Sequence, residues 1–524
     1  MSAIRLEAHY GDRVVRCFVQ RPPSVFAMFR AAVERNGGGE ALVCGDQRIT
    51  WAELAQRVER AAAGLSRCGV RAGDRIALLL GNRSEFVVAL LAALRLGAIA
   101  VPINVREQTP ELAYVLNHCA AKLIVHETEL GERLPSPAAV PQLAHRIGIE
   151  RFDALLADAA APPYAEPDEE DVATILYTSG TTGRPKGAML THLGYVHSAM
   201  HYVQAMALTE RDRSVAAVPL SHVTGVIALI ATQLHAGGTL ILMPAFKAAD
   251  FLALAARERM THTVLVPAMY NLLLLQPDFE AHDLSAWRIG GFGGAPMPLA
   301  TIERCAAKLP RLQLMNLYGA TETTSPATLM PPQFTRDHLD SVGLPAPCAE
   351  IVVIDDAGRE VPRGETGEIW IRGPMVVPGY WNDPQATQRE FTGGFWHSGD
   401  LGSIDNAGFV RVFDRKKDLI NRGGYKVYTA EVESVLAEHP AVLEAAVVAK
   451  PCPVLGERVH AFVALRAEIS PQALRDHCAA RLADYKVPES YTITTEPLPR
   501  NANGKLLKRA LRERLAQELA KETR

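Results

Sequence analysis

The chain has 524 residues, 48% of them hydrophobic, with a formal net charge of -3 and a pI near 6.6. That length is too great for one ordinary core, so at least two domains are expected. Interleaved acidic and basic residues exclude the basic footprint of a nucleic-acid binder, and small molecules are the expected partners.

The first residues, Met1 to Glu7, carry charge where a signal peptide needs its apolar stretch, which leads to the expectation of a cytoplasmic protein. The most apolar run, Phe86 to Ile103, contains Arg95, Gly97 and Pro102, so it reads as helix, turn and strand rather than a membrane span. Eight scattered cysteines without a C-x-x-C pair argue against both a disulfide framework and a zinc site.

From Trp51 to about Pro163, helical periodicity (Trp51 to Leu65, Glu85 to Leu96) alternates with short apolar strands (Arg75 to Leu80, Ala98 to Pro102, Lys122 to His126). This rhythm predicts an α/β layered domain with a largely parallel sheet. Next comes an apolar strand, Ala173 to Leu176, then Tyr177-Thr178-Ser179-Gly180-Thr181-Thr182-Gly183-Arg184-Pro185-Lys186-Gly187, and a helix over Thr191 to Val203. The loop offers backbone N–H groups, hydroxyls and two cations to an anion, so it reads as a phosphate cradle. It is not the P-loop of NTPases, because Gly180 and Gly183 are too close and Gly187 follows Lys186. His197 and His201 lie four apart on the helix but lack the glutamate of H-E-x-x-H, and they are read as a helix surface.

Strands at Ser214 to Val218, Thr239 to Met243, Thr263 to Val266 and Leu312 to Asn316 predict a second α/β sheet. The last of them runs into Asn316-Leu317-Tyr318-Gly319-Ala320-Thr321-Glu322-Thr323, and ligands of α/β sheets bind beyond the carboxyl ends of strands. Tyr318 suits a purine face, Thr321 a phosphate and Glu322 a Mg²⁺ ion, although an ordinary strand exit has the same look. After residue 345, period-two strands (Glu350 to Ile354, Glu368 to Arg372, Phe409 to Phe413) predict a small antiparallel sheet or barrel. There Ser398-Gly399-Asp400 offers a carboxylate for two ribose hydroxyls, with Arg415 fifteen residues on, or a plain turn. The charged stretch 414–418 precedes a compact α+β pattern, in which Lys505 sits on the glycine turn Asn501-Ala-Asn-Gly504.

In this order and at these separations, the four elements resemble the adenylate-forming superfamily that includes acyl-CoA synthetases, aryl-CoA ligases, luciferases and nonribosomal adenylation domains. The resemblance covers all but the first thirty or so residues. It implies a large N-terminal domain, 1–413, of two α/β sheets with a small β-barrel-like subdomain. A hinge at 414–418 and a small mobile α+β C-terminal domain, 419–524, would follow.

The implied reaction is adenylation of a carboxylate by ATP with release of pyrophosphate, then transfer of the acyl group to coenzyme A with release of AMP. By the same match Thr178, Ser179, Gly180, Thr181, Thr182, Gly183 and Lys186 hold the β- and γ-phosphates, Glu322 the magnesium, and Lys505 bridges carboxylate and α-phosphate. Gly294, Ala295, Tyr318, Gly319 and Thr321 serve the adenine and phosphate side, and Asp400 with Arg415 the ribose. Lys417 stands at the hinge, and Gly423, Gly424 and Tyr425 form the loop for the pantetheine arm.

The implied acyl pocket includes His222, Val226, Met269, Gly290, Gly291, Phe292 and Gly293, with His222 as gate or carboxylate contact. No Lys or Arg stands there unless Arg288 turns inward, so an apolar tail, aryl or medium-chain aliphatic, is favoured over a second charge. Gly290 and Gly291 are expected to open a slot or channel for it. Three departures, Ser398 for Thr, Cys452 for Asp and Thr429 for Pro, leave the inferred chemistry intact. A ligase loading a carrier protein, a luciferase-like oxygenase and an inactive nucleotide sensor are the rival readings, and a homodimer stays open.

Overall fold

The computed structural model describes residues 3–156, 160–178, 184–295, 297–500 and 506–522. By contact the chain divides into two units, Met1–Ile351 with Trp370–His397 and Gly408–Val410, and Val352–Ile369 with Ser398–Ala407 and Arg411–Arg524.

The larger unit holds two mostly parallel sheets. One has six strands in the order Lys186–Thr191, Val172–Thr178, Ile99–Pro102, Arg75–Leu79, Leu123–His126, His145–Gly148. All its pairings are parallel except that of the first two strands. The other has nine, with Gln313–Tyr318, Ile289–Phe292, His262–Leu265, Arg213–Ala216, Thr239–Leu242 and Glu40–Cys44 as its parallel middle. Its far edge, Glu40–Cys44 with Gln47–Thr50, comes from ahead of the first sheet in the chain, a crossing that no local pattern announces.

Local signals explain the element ends. Trp51–Arg67 is helical because Thr50 and Glu53 close a capping box, with Glu53 N–H donating to Thr50 Oγ1 at 3.2 Å and Thr50 N–H to Glu53 Oε2 at 2.8 Å. Phe86 to Ile103 resolves into the helix Ser84–Arg95, Gly97 at φ +66, and the strand Ile99–Pro102. An N-terminal hairpin, Ile4–His9 against Arg13–Phe18, lies outside the sequence expectations.

The helix after the loop spans His192–Met206 and is buried on nearly every side. His197 and His201 are therefore core residues, which corrects the surface reading: a helix apolar all round is enclosed, whatever two polar positions suggest. His197 accepts from Phe18 N–H at 3.1 Å and contacts Leu193 O at 2.9 Å, whereas neither ring nitrogen of His201 has a partner among the described residues.

In the smaller unit, the sheet Tyr425–Val427, Ile420–Arg422, Gly456–Leu465, Val442–Cys452 has Ser490–Thr494 paired in parallel to Gly456–Leu465. Helices Thr429–Ala437 and Pro471–Ala479 enclose one core with it, and Lys508–Glu522 closes a second. Among the described residues no helix is long and apolar enough to cross a membrane.

Candidate active site

The phosphate-cradle sequence forms the connection of a β-hairpin, not a strand-to-helix turn. Val172–Thr178 and Lys186–Thr191 pair antiparallel with Thr178 opposite Lys186, so the chain leaves on a hydroxyl and returns on a cation. Gly187 admits this pairing, because a Cβ there would lie 2.8 Å from Ile175 Cγ2. Ser179, Gly180, Thr181, Thr182 and Gly183 lie outside the described residues, as does Lys505.

Glu322 stands in a short 3-10 turn just past Gln313–Tyr318, and it is 8% exposed. Thr324 and Ser325 follow with φ of +47 and +26, conformations that side chains rarely adopt. The turn is held by Ala320 N–H to Thr323 Oγ1 at 2.9 Å and by Ser325 Oγ with Tyr202 Oη at 2.8 Å. Glu322 Oε1 is 3.5 Å from Thr178 Oγ1 and 3.0 Å from Tyr380 Oη. Residues on two different sheets thus converge.

Two residues absent from the sequence reading complete the cluster. Tyr380 Oη also lies 2.7 Å from Glu390 Oε2, and Glu390 pairs with Lys186 Nζ, which sits 4.2 Å above the Tyr380 ring. Burial opposes ionisation of Glu390, yet Lys186 and Tyr380 hold its carboxyl below the ordinary range. Burial, then the charges of Glu322 and Glu390, push the Tyr380 phenol far up, so it keeps its proton. Only the sequence Gly379-Tyr380-Trp381, an aromatic pair before the helix start Asn382-Asp383-Pro384, could have drawn attention to it.

Among the described residues Glu322 has hydroxyl partners and no cation. A buried carboxylate surrounded by oxygen donors fits a hard divalent ion such as Mg²⁺.

Gly294 and Ala295 follow the strand Ile289–Phe292, which is parallel to Gln313–Tyr318 with Phe292 opposite Asn316. Two residues further along each strand, Gly294 and Tyr318 stand at neighbouring carboxyl ends. Gly294, at φ +76, is exposed, and a Cβ there would meet only Val266 Cγ1 at 3.9 Å. Gly293 serves a different end: a Cβ there would lie 2.3 Å from Leu317 O. Gly319 and Thr321 belong to the same exit, half-buried.

Gly290 and Gly291 open no slot. The space above Gly290 is filled by Tyr270 Oη and Leu314, and that above Gly291 by Leu317, Val264 and Met206, while Tyr270 Oη donates to Gly291 O at 3.0 Å. These glycines make room for neighbouring side chains, not for a ligand. Arg288 precedes the strand, at its amino end, and donates to Asp212 Oδ1 at 2.8 Å and to Met206 O at 2.9 Å, so it does not turn inward.

His222 is carried on the loop after Arg213–Ala216. Asn82, 6% exposed, braces that loop: its Nδ2, with two protons to give, lies within hydrogen-bond distance of Ala216 O, Val218 O and Met243 O, and its Oδ1 accepts from Leu220 N–H at 2.9 Å. Thr224 N–H donates to His222 Nδ1 at 3.3 Å, which leaves Nε2 to carry the proton of the neutral ring. A π-helical stretch, Thr224–Ala231, follows, packed so closely that a Cβ on Gly225 would meet Pro219 O at 2.3 Å. Val226, Met269 and Phe292 are buried in the main core.

In the smaller unit, Arg415 Nε pairs with Asp400 Oδ1 at 2.7 Å, and Arg415 donates to Ser398 O at 3.3 Å. Ser398 Oγ accepts from Asp400 N–H at 3.0 Å, so the hydroxyl common to Ser and Thr is in use. Gly423 and Gly424 are the two-residue loop between Ile420–Arg422 and Tyr425–Val427, with φ of +58 and +94. Tyr425 is 59% exposed and stacks on Tyr485 at 4.7 Å. Beside Lys417, Arg512 pairs with Asp418. Thr429 donates to Asp414 through its hydroxyl at 2.7 Å and through its N–H, a bond that proline could not make.

Residues 29–381 match the family described as AMP-binding enzyme, and residues 431–505 match the AMP-binding enzyme C-terminal domain. A feruloyl-CoA synthase of Amycolatopsis is 36% identical over 472 residues, 90% of this chain and 94% of that protein. A long-chain-fatty-acid–CoA ligase of Mycobacterium tuberculosis is 35% identical over 482 residues, 91% and 95% of the two chains. Among solved structures, an o-succinylbenzoate CoA synthetase from Bacillus subtilis, in complex with its acyl-adenylate intermediate, superposes with a TM-score of 0.84 at 34% identity, covering 94% of this chain and 98% of that one.

Proposed function

The chain belongs to the AMP-binding enzyme family and is an AMP-forming acyl-CoA synthetase that uses ATP, Mg²⁺ and coenzyme A; from that premise we propose its acid and the residues that act on it. The observation that carries the assignment is the convergence of Thr178, Lys186 and Glu322 from two sheets. It combines a hydroxyl, an ammonium and an ion-binding carboxylate, the donor set that a triphosphate with its metal needs.

The carboxylate of the acid is ionised at neutral pH and attacks the α-phosphorus without a base. A new O–P bond forms and the Pα–O bond to pyrophosphate breaks. Lys186 neutralises charge on the departing pyrophosphate, and Lys505 bridges carboxylate and α-phosphate. When bound at Glu322, magnesium supplies further neutralisation of phosphate charge. Tyr318 and Gly294 flank adenine, and Asp400, oriented by Arg415, takes the ribose hydroxyls.

In the second half-reaction the coenzyme A sulfur attacks the acyl carbon, the C–O bond to AMP breaks with the electron pair leaving on the AMP phosphate, and the thiol proton passes to water. Gly423 and Gly424 present bare backbone to the pantetheine arm. A domain of 419–524 turning about Lys417 lets the two half-reactions share one site.

The acid is a monocarboxylate with an apolar tail, aryl or medium-chain aliphatic. The proposed pocket positions Val226, Met269 and Phe292 are all apolar, and Arg288 is committed to Asp212, which leaves a second carboxylate without a partner. His222, with its proton on Nε2, donates to the reacting carboxylate. The test is thioester formation across aryl, aliphatic and dicarboxylic acids with ATP, Mg²⁺ and CoA, alongside Lys505→Ala. The expected result is a preferred apolar monocarboxylate whose adenylation the variant abolishes; preference for a dicarboxylate would refute the pocket assignment.

A further inference from the structure

The segment before Glu390 is tied to both arms of the triphosphate cluster. Ala188 and Tyr380 form a β-bridge, Met189 N–H donates to Gly379 O at 3.2 Å, and Trp381 N–H donates to Gly187 O at 2.7 Å. This backbone is hydrogen-bonded to the strand that carries Lys186. Three residues earlier, Val377 N–H donates to Glu322 O at 2.9 Å. The short helix Pro384–Glu390 then returns Glu390 to the cluster, started by Asp383, whose carboxylate accepts from Ala386 N–H at 2.9 Å. Tyr380 N–H donates to Thr387 Oγ1 at 2.9 Å, so ring and helix are fixed together.

The hydrogen bonds do not balance. Tyr380 Oη is within bonding distance of Glu322 Oε1 (3.0 Å) and Glu390 Oε2 (2.7 Å), but a phenol has one proton to give. One carboxylate must face an oxygen lone pair unless a cation relieves it. Lys186 relieves Glu390; nothing among the described residues relieves Glu322.

We propose that Tyr380 and Glu390 are positioning residues of the nucleotide site: Glu390 holds the Lys186 ammonium in place, and the single Tyr380 proton, shared with Glu322, couples that lysine to the metal-binding carboxylate. With a cation on Glu322, Tyr380 donates to Glu390 and releases part of that carboxylate's hold on Lys186, which turns to phosphate. Removing the charge at 390 leaves Lys186 attractive to phosphate but unfixed. Removing the hydroxyl at 380 leaves Glu322 unoriented. The inference rests on the roles proposed above for Lys186 and Glu322.

The test titrates the intact chain with a non-hydrolysable ATP analogue over a series of Mg²⁺ concentrations by calorimetry, for wild type, Tyr380→Phe, Glu390→Gln and Glu390→Asp, with melting temperatures and pyrophosphate-release kinetics in parallel. Tyr380→Phe should flatten the rise of analogue affinity with Mg²⁺ by about five-fold or more, because the proton that couples Glu322 to Glu390 and Lys186 is gone. Glu390→Gln should bind the analogue at least as tightly as wild type while kcat falls about ten-fold, and Glu390→Asp, which keeps the charge, should recover much of that loss.

Wild-type Mg²⁺ dependence in Tyr380→Phe, or kcat unchanged in Glu390→Gln, would overturn the proposal. So would equal losses in the Gln and Asp variants that track a fall in melting temperature. If the wild type binds the analogue and the variants match it, this inference alone fails. A wild type that binds no analogue refutes the nucleotide-site reading together with it.

Discussion

The residues proposed for the nucleotide in the larger unit and those proposed in the smaller one are built in opposite ways. In the larger unit Lys186, Glu322 and Tyr380 are buried and Glu390 is half-buried, and Lys186 is matched by Glu390 while Glu322 meets only hydroxyls. In the smaller unit Gly423, Gly424 and Tyr425 are exposed at a hairpin end and Arg415 is half-buried at the end of a strand, with only Asp400 buried. The two glycine pairs repeat the contrast. Gly290 and Gly291 are glycines because side chains occupy the space above them, whereas Gly424 has nothing within 4 Å and is a glycine because its φ is +94. The lesson is that a substitution in the first region strikes packing and chemistry together, while in the second the two separate.

The largest expected effect is from Glu322→Gln, which should lower pyrophosphate release by about 10²–10³, the usual cost of losing one preorganised electrostatic contact. Full rate in the variant would break the contrast at its buried end. Gly293→Ala should cost about 3 kcal/mol by chemical denaturation, because its Cβ meets the backbone oxygen of Leu317, which cannot move aside. By comparison, Gly424→Ala should cost about 1 kcal/mol, a conformational penalty with no clash, and should slow thioester formation while leaving adenylation alone. Equal stability losses in the two glycine variants would erase the distinction.

A smaller effect is expected with pH. Burial holds His197 and His201 down to about 3, against an ordinary value of 6.5. A group depressed in the folded state contributes no penalty above its unfolded pKa. As pH falls from 6.5 toward 3 the unfolded chain takes up protons that the folded one refuses, and stability is lost, by at most about 1.4 kcal/mol per pH unit for each ring. His201→Leu removes one such ring and should flatten the melting-temperature slope between pH 6.5 and 4.5. An unchanged slope would show that other groups govern the acid limb.

Much of the site was legible because its chemistry is local in sequence. Thr178, Lys186 and Glu322 each follow or open a strand, and a strand end can be read from an apolar run meeting glycine and hydroxyl residues. Asn82, Tyr380 and Glu390 were not legible, since the contacts that tie them to the site span 134 positions from Asn82 to Ala216, 58 from Tyr380 to Glu322 and 204 from Glu390 to Lys186. The same holds for the fold. Alternating helix and strand announced two sheets, but nothing local tells Glu40–Cys44 to pair with Thr239–Leu242. Periodicity also misled at His197 and His201, where the whole helix is enclosed.

The central claim, attack on the α-phosphorus, is tested most directly by incubating the protein with ATP, Mg²⁺ and its preferred acid in the absence of coenzyme A and identifying the products by mass spectrometry. The account predicts pyrophosphate and a bound acyl-adenylate that yields AMP and thioester once coenzyme A is added. ADP with an acyl phosphate would place the attack on the γ-phosphorus and contradict it.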